Sequence, residues 1–266
     1  MCWIYMATQN IKLACCYNIW DGEELLLPSI RRMRGLASKI VVVYSNTSNT
    51  GETNPGLMSV IKQIEDEGLA DEIVQYFTRK GSAHQNEIAK RNLGLEKCAD
   101  CDVFMTMDCD EFYHMDELSH MLTLFWSAGY DSSACQMQTY YKHPDVRIVP
   151  PEDYYVPLFY RVDKRKFVLS QKWPVVSDPT RKMLPGKMLI IERGGMEMHH
   201  FSYVRKDVRR KLRNSSAGNF ADRMEEIAQW HDDWTDDGKA YFAGSQVRMY
   251  ETERVQLPFP ELINIA

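Results

Sequence analysis

Residues 103–107, Val-Phe-Met-Thr-Met, are apolar on both alternating faces apart from one threonine, and the run ends abruptly in Asp108, Asp110 and Glu111. A short apolar run without alternation fits a strand covered on both sides, as at the centre of a helix-flanked sheet. Residues two apart on a strand point the same way, so Asp108 and Asp110 are expected to reach one point beyond its carboxyl end. Two hard carboxylates held there suit Mn²⁺ or Mg²⁺, ions that also hold phosphates.

The preceding chain alternates as a doubly wound sheet should. Its patterning predicts strand 11–19, helix 22–36, strand 39–45, helix 57–66, strand 71–77, helix 83–97 and strand 102–108. A helix near 116–128 and a strand near 133–141 follow. The expected fold is therefore α/β, with a mostly parallel central sheet flanked by helices and an α+β portion toward the C-terminus. Ligands in such sheets lie at the carboxyl ends of the strands, where Asn18, Ser45 and Asp108 fall. Pro144, Pro150, Pro151 and Pro157 mark a change of architecture. We divide the chain there into two halves, 1–141 and 142–266.

Upstream of the acidic cluster, Ala89, Arg91-Asn92, Gly94-Leu95 and Ala99 form an A-x-R-N-x-G-L-x-x-x-A pattern on the predicted helix. With the D-x-D-E of 108–111, this resembles glycosyltransferases of the GT-A fold, particularly the family 2-like group. Asp21-Gly-Glu-Glu-Leu stands where that group has its N-E-x-x-x-L loop, and Asn46-Thr-Ser-Asn-Thr-Gly51 is close to its D-x-S-x-D-x-T loop. The resemblance spans roughly residues 11–130. It implies a nucleotide-sugar donor, UDP-linked in the commonest case, and a Mn²⁺ or Mg²⁺ ion held by Asp108 and Asp110. It also implies that 1–141 is the nucleotide-sugar-binding half and 142–266 the acceptor-binding half that completes the metal shell with a histidine, for which His199 and His200 are the candidates. Arg91 and Arg205 are expected to act with Asp110 on the departing diphosphate, and Asn18, Ser45, Asn92 and Asp108 to hold the nucleotide.

Two departures qualify the pattern. Ser45 stands where the group usually has an aspartate that recognises uracil. The usual base of inverting members has no clear counterpart, with Asp153 and Asp178 as candidates, so the stereochemistry is left open.

Composition addresses the acceptor. Residues 142–213 carry 17 Lys+Arg against 8 Asp+Glu, a balance of +9, whereas the whole chain is −5. Tyr140, Tyr141, Tyr154, Tyr155, Phe159, Tyr160, Trp173, Phe201 and Tyr203 are interleaved with that charge. Basic residues with aromatics suit a phosphate backbone, so double-stranded DNA contacted through residues 161–213 is an expected partner. The acceptor is then a hydroxymethylated pyrimidine, as for similar standalone enzymes of bacteriophages. The alternatives are a cell-envelope glycan or lipid-linked sugar, and a nucleotidyltransferase or inactive nucleotide-sugar-binding module. No apolar run approaches the ~20 residues that cross a bilayer, and Met1–Tyr5 lacks the basic start of a signal peptide. The seven cysteines include one C-x-x-C at Cys98 and Cys101, without a second pair at zinc spacing. They suit a reducing cytoplasm.

Overall fold

The computed structural model describes residues 11–265, except 164, 170, 217–220, 237 and 244–246. Met1–Tyr5, Cys2 and Lys164 lie outside the described residues. The elements run β1 (Leu13–Ile19), α1 (Glu23–Met33), β2 (Lys39–Tyr44), α2 (Leu57–Asp66), β3 (Glu72–Gln75), α3 (Ala83–Lys97) and β4 (Val103–Met107). There follow β5 (Glu111–Phe112), α4 (Met115–Ser127), β6 (Ser132–Tyr141), β7 (Val146–Val149), β8 (Tyr155–Arg161), β9 (Met188–Ile191) and β10 (Glu197–Tyr203). The chain ends in α5 (Val208–Asn214), α6 (Met224–Asp232), β11 (Ala240–Ala243) and β12 (Val247–Arg254).

The described strands form one mixed sheet in the order β11-β12-β7-β6-β8-β4-β1-β2-β3, with β9 and β10 on the other side of β6. Strands β4, β1, β2 and β3 are parallel, as the alternating sequence predicts. The later half then re-enters the sheet, because β8 lies antiparallel between β4 and β6. Strand β10 runs parallel to β6 and also pairs with the short β5, with His200 opposite Thr139 on one side and Glu111 on the other.

The period of two sorts each strand between two cores. Cys15, Tyr17, Ile40, Val42, Met105 and Met107 face the side packed by α1, α2 and α4. Ala14, Cys16, Val41, Val43 and Phe104 face the side packed by α3. Burying a side chain such as Phe104 completely is worth about 1.5–3 kcal/mol. Helix α3 starts at a capping box in which Ser82 accepts from the Gln85 amide and the Gln85 side chain accepts from the Ser82 amide. It lies close on β1 at Gly94, where a Cβ would stand 2.1 Å from the Cys16 sulfur. A third core joins α5 and α6 to β7, β11 and β12. Among the described residues no helix is long and apolar enough to cross a membrane.

Candidate active site

The parallel strands end together, and their carboxyl ends line a cleft of about 250 Å³. Asn18 comes from β1, Ser48 and Asn49 from the loop after β2, and Asp108 and Asp110 from the turn after β4. Lys90 and Arg91 reach it from α3, His200 from β10, and Lys211 and Asn214 from α5.

The two carboxylates are held by guanidinium groups. Arg181 Nη2 donates to Asp108 Oδ2 at 2.5 Å and also to Glu111. Arg91 stands 3.6 Å from the other Asp108 oxygen and donates to Thr106 Oγ1 at 2.8 Å. Arg205 bridges Asp110 at 2.5 Å and Asp21 at 2.9 Å, and Arg210 adds a second contact to Asp21 at 2.7 Å. Burial alone would raise the Asp110 pKa, but the charge of Arg205, followed by that of His200, holds it far below the usual carboxylate range. The same opposition lowers Asp108, with Arg181 and then Arg91 outweighing burial. Glu111 goes the other way. Burial exceeds the help of Arg181 and pushes its pKa up to about 7.

The lysines are in a different state. Lys90 is 6 % exposed, and burial lowers its pKa. Burial, followed by repulsion from Arg205, brings Lys211 down to about 8, and its ammonium lies 4.7 Å from the Tyr203 ring centroid. Neither ammonium enters a hydrogen bond among the described residues; the charges around them act only at a distance. These are the cations left to meet an anionic ligand. Sequence reasoning missed both, as it missed Arg181. Lys90 sat beside the more conspicuous Arg91, Lys211 was one charge in a basic run assigned to DNA, and nothing local marks Arg181 as buried.

Several expected residues do other work. Ser45 is buried, bonded to the Tyr76 carbonyl at 2.9 Å and to Thr78 at 2.8 Å, and does not line the cleft. Asn92 clamps the Phe167 backbone through both its amide oxygen and nitrogen. His199 packs among His114, Tyr140 and Phe259, and burial lowers its pKa to about 3. Its neighbour His200 faces the cleft, as strand alternation requires. Asp178 lines the cleft but accepts from Thr180, whereas Asp153 is exposed and does not line it.

Among the described residues no three His, Cys, Asp or Glu side chains form a group able to hold a metal ion by themselves. The nearest approach is Asp110 Oδ1 to His200 Nε2, at 3.9 Å. The other imidazole nitrogen, Nδ1, is buried without a hydrogen-bond partner among the described residues, and burial favours the neutral ring that can ligate. One carboxylate and one imidazole suit an ion that completes its shell from phosphate oxygens, the usual arrangement for Mg²⁺.

Six of the nine interleaved aromatics are buried and not available for stacking, Phe159 among them, whereas Tyr154, Tyr155 and Trp173 are partly exposed. Tyr140, Tyr141, Tyr160, Phe201 and Tyr203 are each at most 2 % exposed. The basic residues of 161–213 are largely paired within the molecule: Arg209 with Glu225 and Asp232, Arg210 with Asp21 and Glu23, and Arg213 with Glu52. The +9 balance is therefore a complement to the acidic remainder of the chain, and the expectation of a DNA surface loses its support.

No protein-family model and no curated protein matches the chain. Among solved structures, it is similar to S. aureus TarS residues 1–349, with a TM-score of 0.48 and 10% identity over 72% of this chain and 61% of that one. A longer TarS structure gives 0.47 and 11%, over 85% of this chain and 44% of that one. The mannosyltransferase PcManGT from Pyrobaculum calidifontis, in complex with GDP-Man and Mn²⁺, gives 0.46 and 12%, over 80% and 68%. The chain thus spans less than two thirds of either TarS structure. Likenesses of this strength assign neither family nor activity.

Proposed function

We propose that the protein is a glycosyltransferase that moves a sugar from a nucleotide-sugar to an acceptor hydroxyl. The cleft carries this reading: Asp108 and Asp110 of a D-x-D turn share it with the uncommitted ammonium groups of Lys90 and Lys211, at the carboxyl ends of parallel strands. In this reading Asn18, whose buried Oδ1 has no hydrogen-bond partner among the described residues, and the Ser48–Asn49 loop position the nucleoside. Lys90 and Lys211 receive the diphosphate, and their charge stabilises it as it leaves. Arg181 and Arg205 hold the carboxylates in place. Asp110 and His200 are the residues that would hold Mn²⁺ or Mg²⁺, which supplies Lewis-acid stabilisation of the diphosphate. Residues 1–141 then serve the donor and 142–266 the acceptor.

For the acceptor we favour a glycan or lipid-linked sugar over a hydroxymethylated pyrimidine in DNA. The internal pairing of Arg209, Arg210 and Arg213 supports that choice. The test is a screen of UDP- and GDP-sugars for thermal stabilisation, with and without Mn²⁺, followed by mass-spectrometric detection of transfer. We expect stabilisation by at least one nucleoside diphosphate and a loss of that effect in Asp110→Asn. A protein indifferent to every nucleotide-sugar would refute the reading.

A further inference from the structure

The two faces of α6 meet different surroundings. Ile227 and Ala228 are buried in the core shared with β11 and β12. Glu226, Gln229, Trp230 and Asp233 recur at helical spacing on the other face and, with Trp234, line a pocket of about 420 Å³. Its opposite wall is Thr235 and Gly238, brought together by a bond from the Gly238 amide to the Thr235 carbonyl at 2.7 Å. The pocket shares no lining residue with the cleft and is a separate site.

Trp230 is 41 % exposed but held in place. Its Nε1 donates to the Lys239 carbonyl at 2.6 Å, and Tyr241 packs edge-on against it with ring centroids 6.1 Å apart. A ring already fixed costs little entropy to use as a binding platform. Trp234 is only 9 % exposed, and its Nε1 has no hydrogen-bond partner among the described residues. A Cβ at Gly238 would stand 3.1 Å from that nitrogen, so this edge of the indole faces the pocket wall where the wall has no side chain. A buried N–H without an acceptor is costly, which favours a ligand that supplies one.

Among the described residues the lining contains no aliphatic side chain. A groove for an amphipathic peptide is hydrophobic along its length. Indoles set among carboxylate, amide and hydroxyl groups suit a ligand with C–H groups on its faces and hydroxyls on its edges, which describes a sugar ring. The volume lies within the roughly 300–1,000 Å³ of small-molecule pockets, room for a short stretch of glycan. A quaternary ammonium would also sit on an indole beside carboxylates, but it has no acceptor for Trp234 Nε1. An anionic ligand would meet the like charge of Glu226 and Asp233.

We infer that this pocket is a saccharide-binding site for a neutral glycan, with Trp230 as the stacking platform and Trp234 Nε1 as a donor to a sugar oxygen. The inference goes beyond the transferase reading and does not rest on it. The probes are maltotriose, cellotriose and chitotriose, compared with trigalacturonate and choline, each added at millimolar concentration to isotope-labelled protein. The readout is the indole N–H region of the NMR spectrum, where the six tryptophans give one signal each, assigned by replacing them in turn.

At least one neutral trisaccharide should shift the Trp230 and Trp234 signals and leave that of Trp20, which lines the cleft, in place. Trigalacturonate should bind more weakly than that trisaccharide, and choline should shift neither signal. Trp230→Ala should weaken trisaccharide binding roughly tenfold or more, whereas Trp230→Phe, which keeps a ring face, should retain most of it. Binding undiminished in Trp230→Ala would overturn the inference, and so would choline or trigalacturonate binding more tightly than every neutral trisaccharide. No shift of Trp230 and Trp234 by any trisaccharide would also overturn it, while the transferase reading is judged separately by nucleotide-sugar binding at the cleft.

Discussion

At the scale of single residues, the cleft divides its cations into two kinds, and the division predicts opposite mutant behaviour. Arg181 is 3 % exposed and carries the charge of Asp108 and Glu111. Removing one partner of such a buried pair leaves the other uncompensated, at a cost of about 3–5 kcal/mol. Arg181→Ala should therefore show a sharply lowered urea midpoint, whatever happens to ligand binding. Lys90 is almost as buried but donates to nothing among the described residues. Lys90→Met should leave stability unchanged or slightly raised, and weaken binding of the nucleoside diphosphate roughly ten- to hundredfold, the worth of one charge-assisted hydrogen bond. Normal binding by a well-folded Lys90→Met protein would remove Lys90 from the site. The sequence made Arg91 and Arg205 conspicuous, yet it contains nothing that distinguishes an arginine engaged by a carboxylate from a lysine that is not. That distinction depends on which acidic residues arrive from distant elements, Asp21 for Arg205 and Asp178 for Arg91.

At the scale of elements, β10 is held at its end by a buried histidine. His231 of α6 bonds the Tyr203 carbonyl at 2.9 Å, and burial, opposed by that bond, brings its pKa down to about 4. Unfolded histidine titrates near 6.5. Because the folded value is depressed, the neutral ring contributes stability above about pH 6.5, and that stability is lost as pH falls toward 4. Between pH 7.5 and 5 the loss is about 2 kcal/mol for this residue. His199 titrates in the same sense, so the measurement is a difference: His231→Gln should lose less stability over that interval than the wild type in urea unfolding. Equal losses would show that His231 is not the titrating group.

A second element-scale test concerns the seating of α3 on β1. Gly94→Ala would drive a Cβ to 2.1 Å from the Cys16 sulfur. We expect a net destabilisation of about 1–3 kcal/mol from overpacking, despite the better helix propensity of alanine. The elements from β1 to β6, apart from the two-residue β5, were legible because each carries its own period. The positions of β8 and β10 were not, since pairing between β4 and β8 joins residues 103–105 to 159–161. No local pattern encodes that register. The D-x-D turn was legible, and so was the presence of a histidine beside it. Which histidine faces the cleft depends on the register of β10 against β5 and β6.

At the scale of the whole molecule, charge decides what kind of acceptor surface is left. A basic segment of +9 in a chain of −5 would be an electrostatic footprint for nucleic acid if the segment faced solvent uncompensated. Folding instead brings α5 against the acidic parts of both halves. Arg210 inserts between Asp21 and Glu23, Arg213 meets Glu52, and Arg209 is bracketed by Glu225 and Asp232 across the α5–α6 pair. A protein that neutralised several phosphates would lose affinity steeply with salt, with a slope of about −0.9 per phosphate on a logarithmic scale. We therefore expect a hydroxymethylated duplex to bind weakly at 50 mM salt as read by fluorescence anisotropy, with no steep dependence between 50 and 200 mM, concentrations at which true phosphate contacts differ by about 10³–10⁵ in affinity. The same geometry fixes what charge reversal does. Arg210→Glu places a third carboxylate beside Asp21 and Glu23, and should lower the unfolding temperature rather than abolish a binding activity. Tight, steeply salt-dependent binding of the duplex by the wild type, lost in a normally stable Arg210→Glu protein, would return DNA to the acceptor site. A destabilised variant with no DNA binding to lose would leave the chain's positive charge where the fold puts it, holding the two halves together around the cleft.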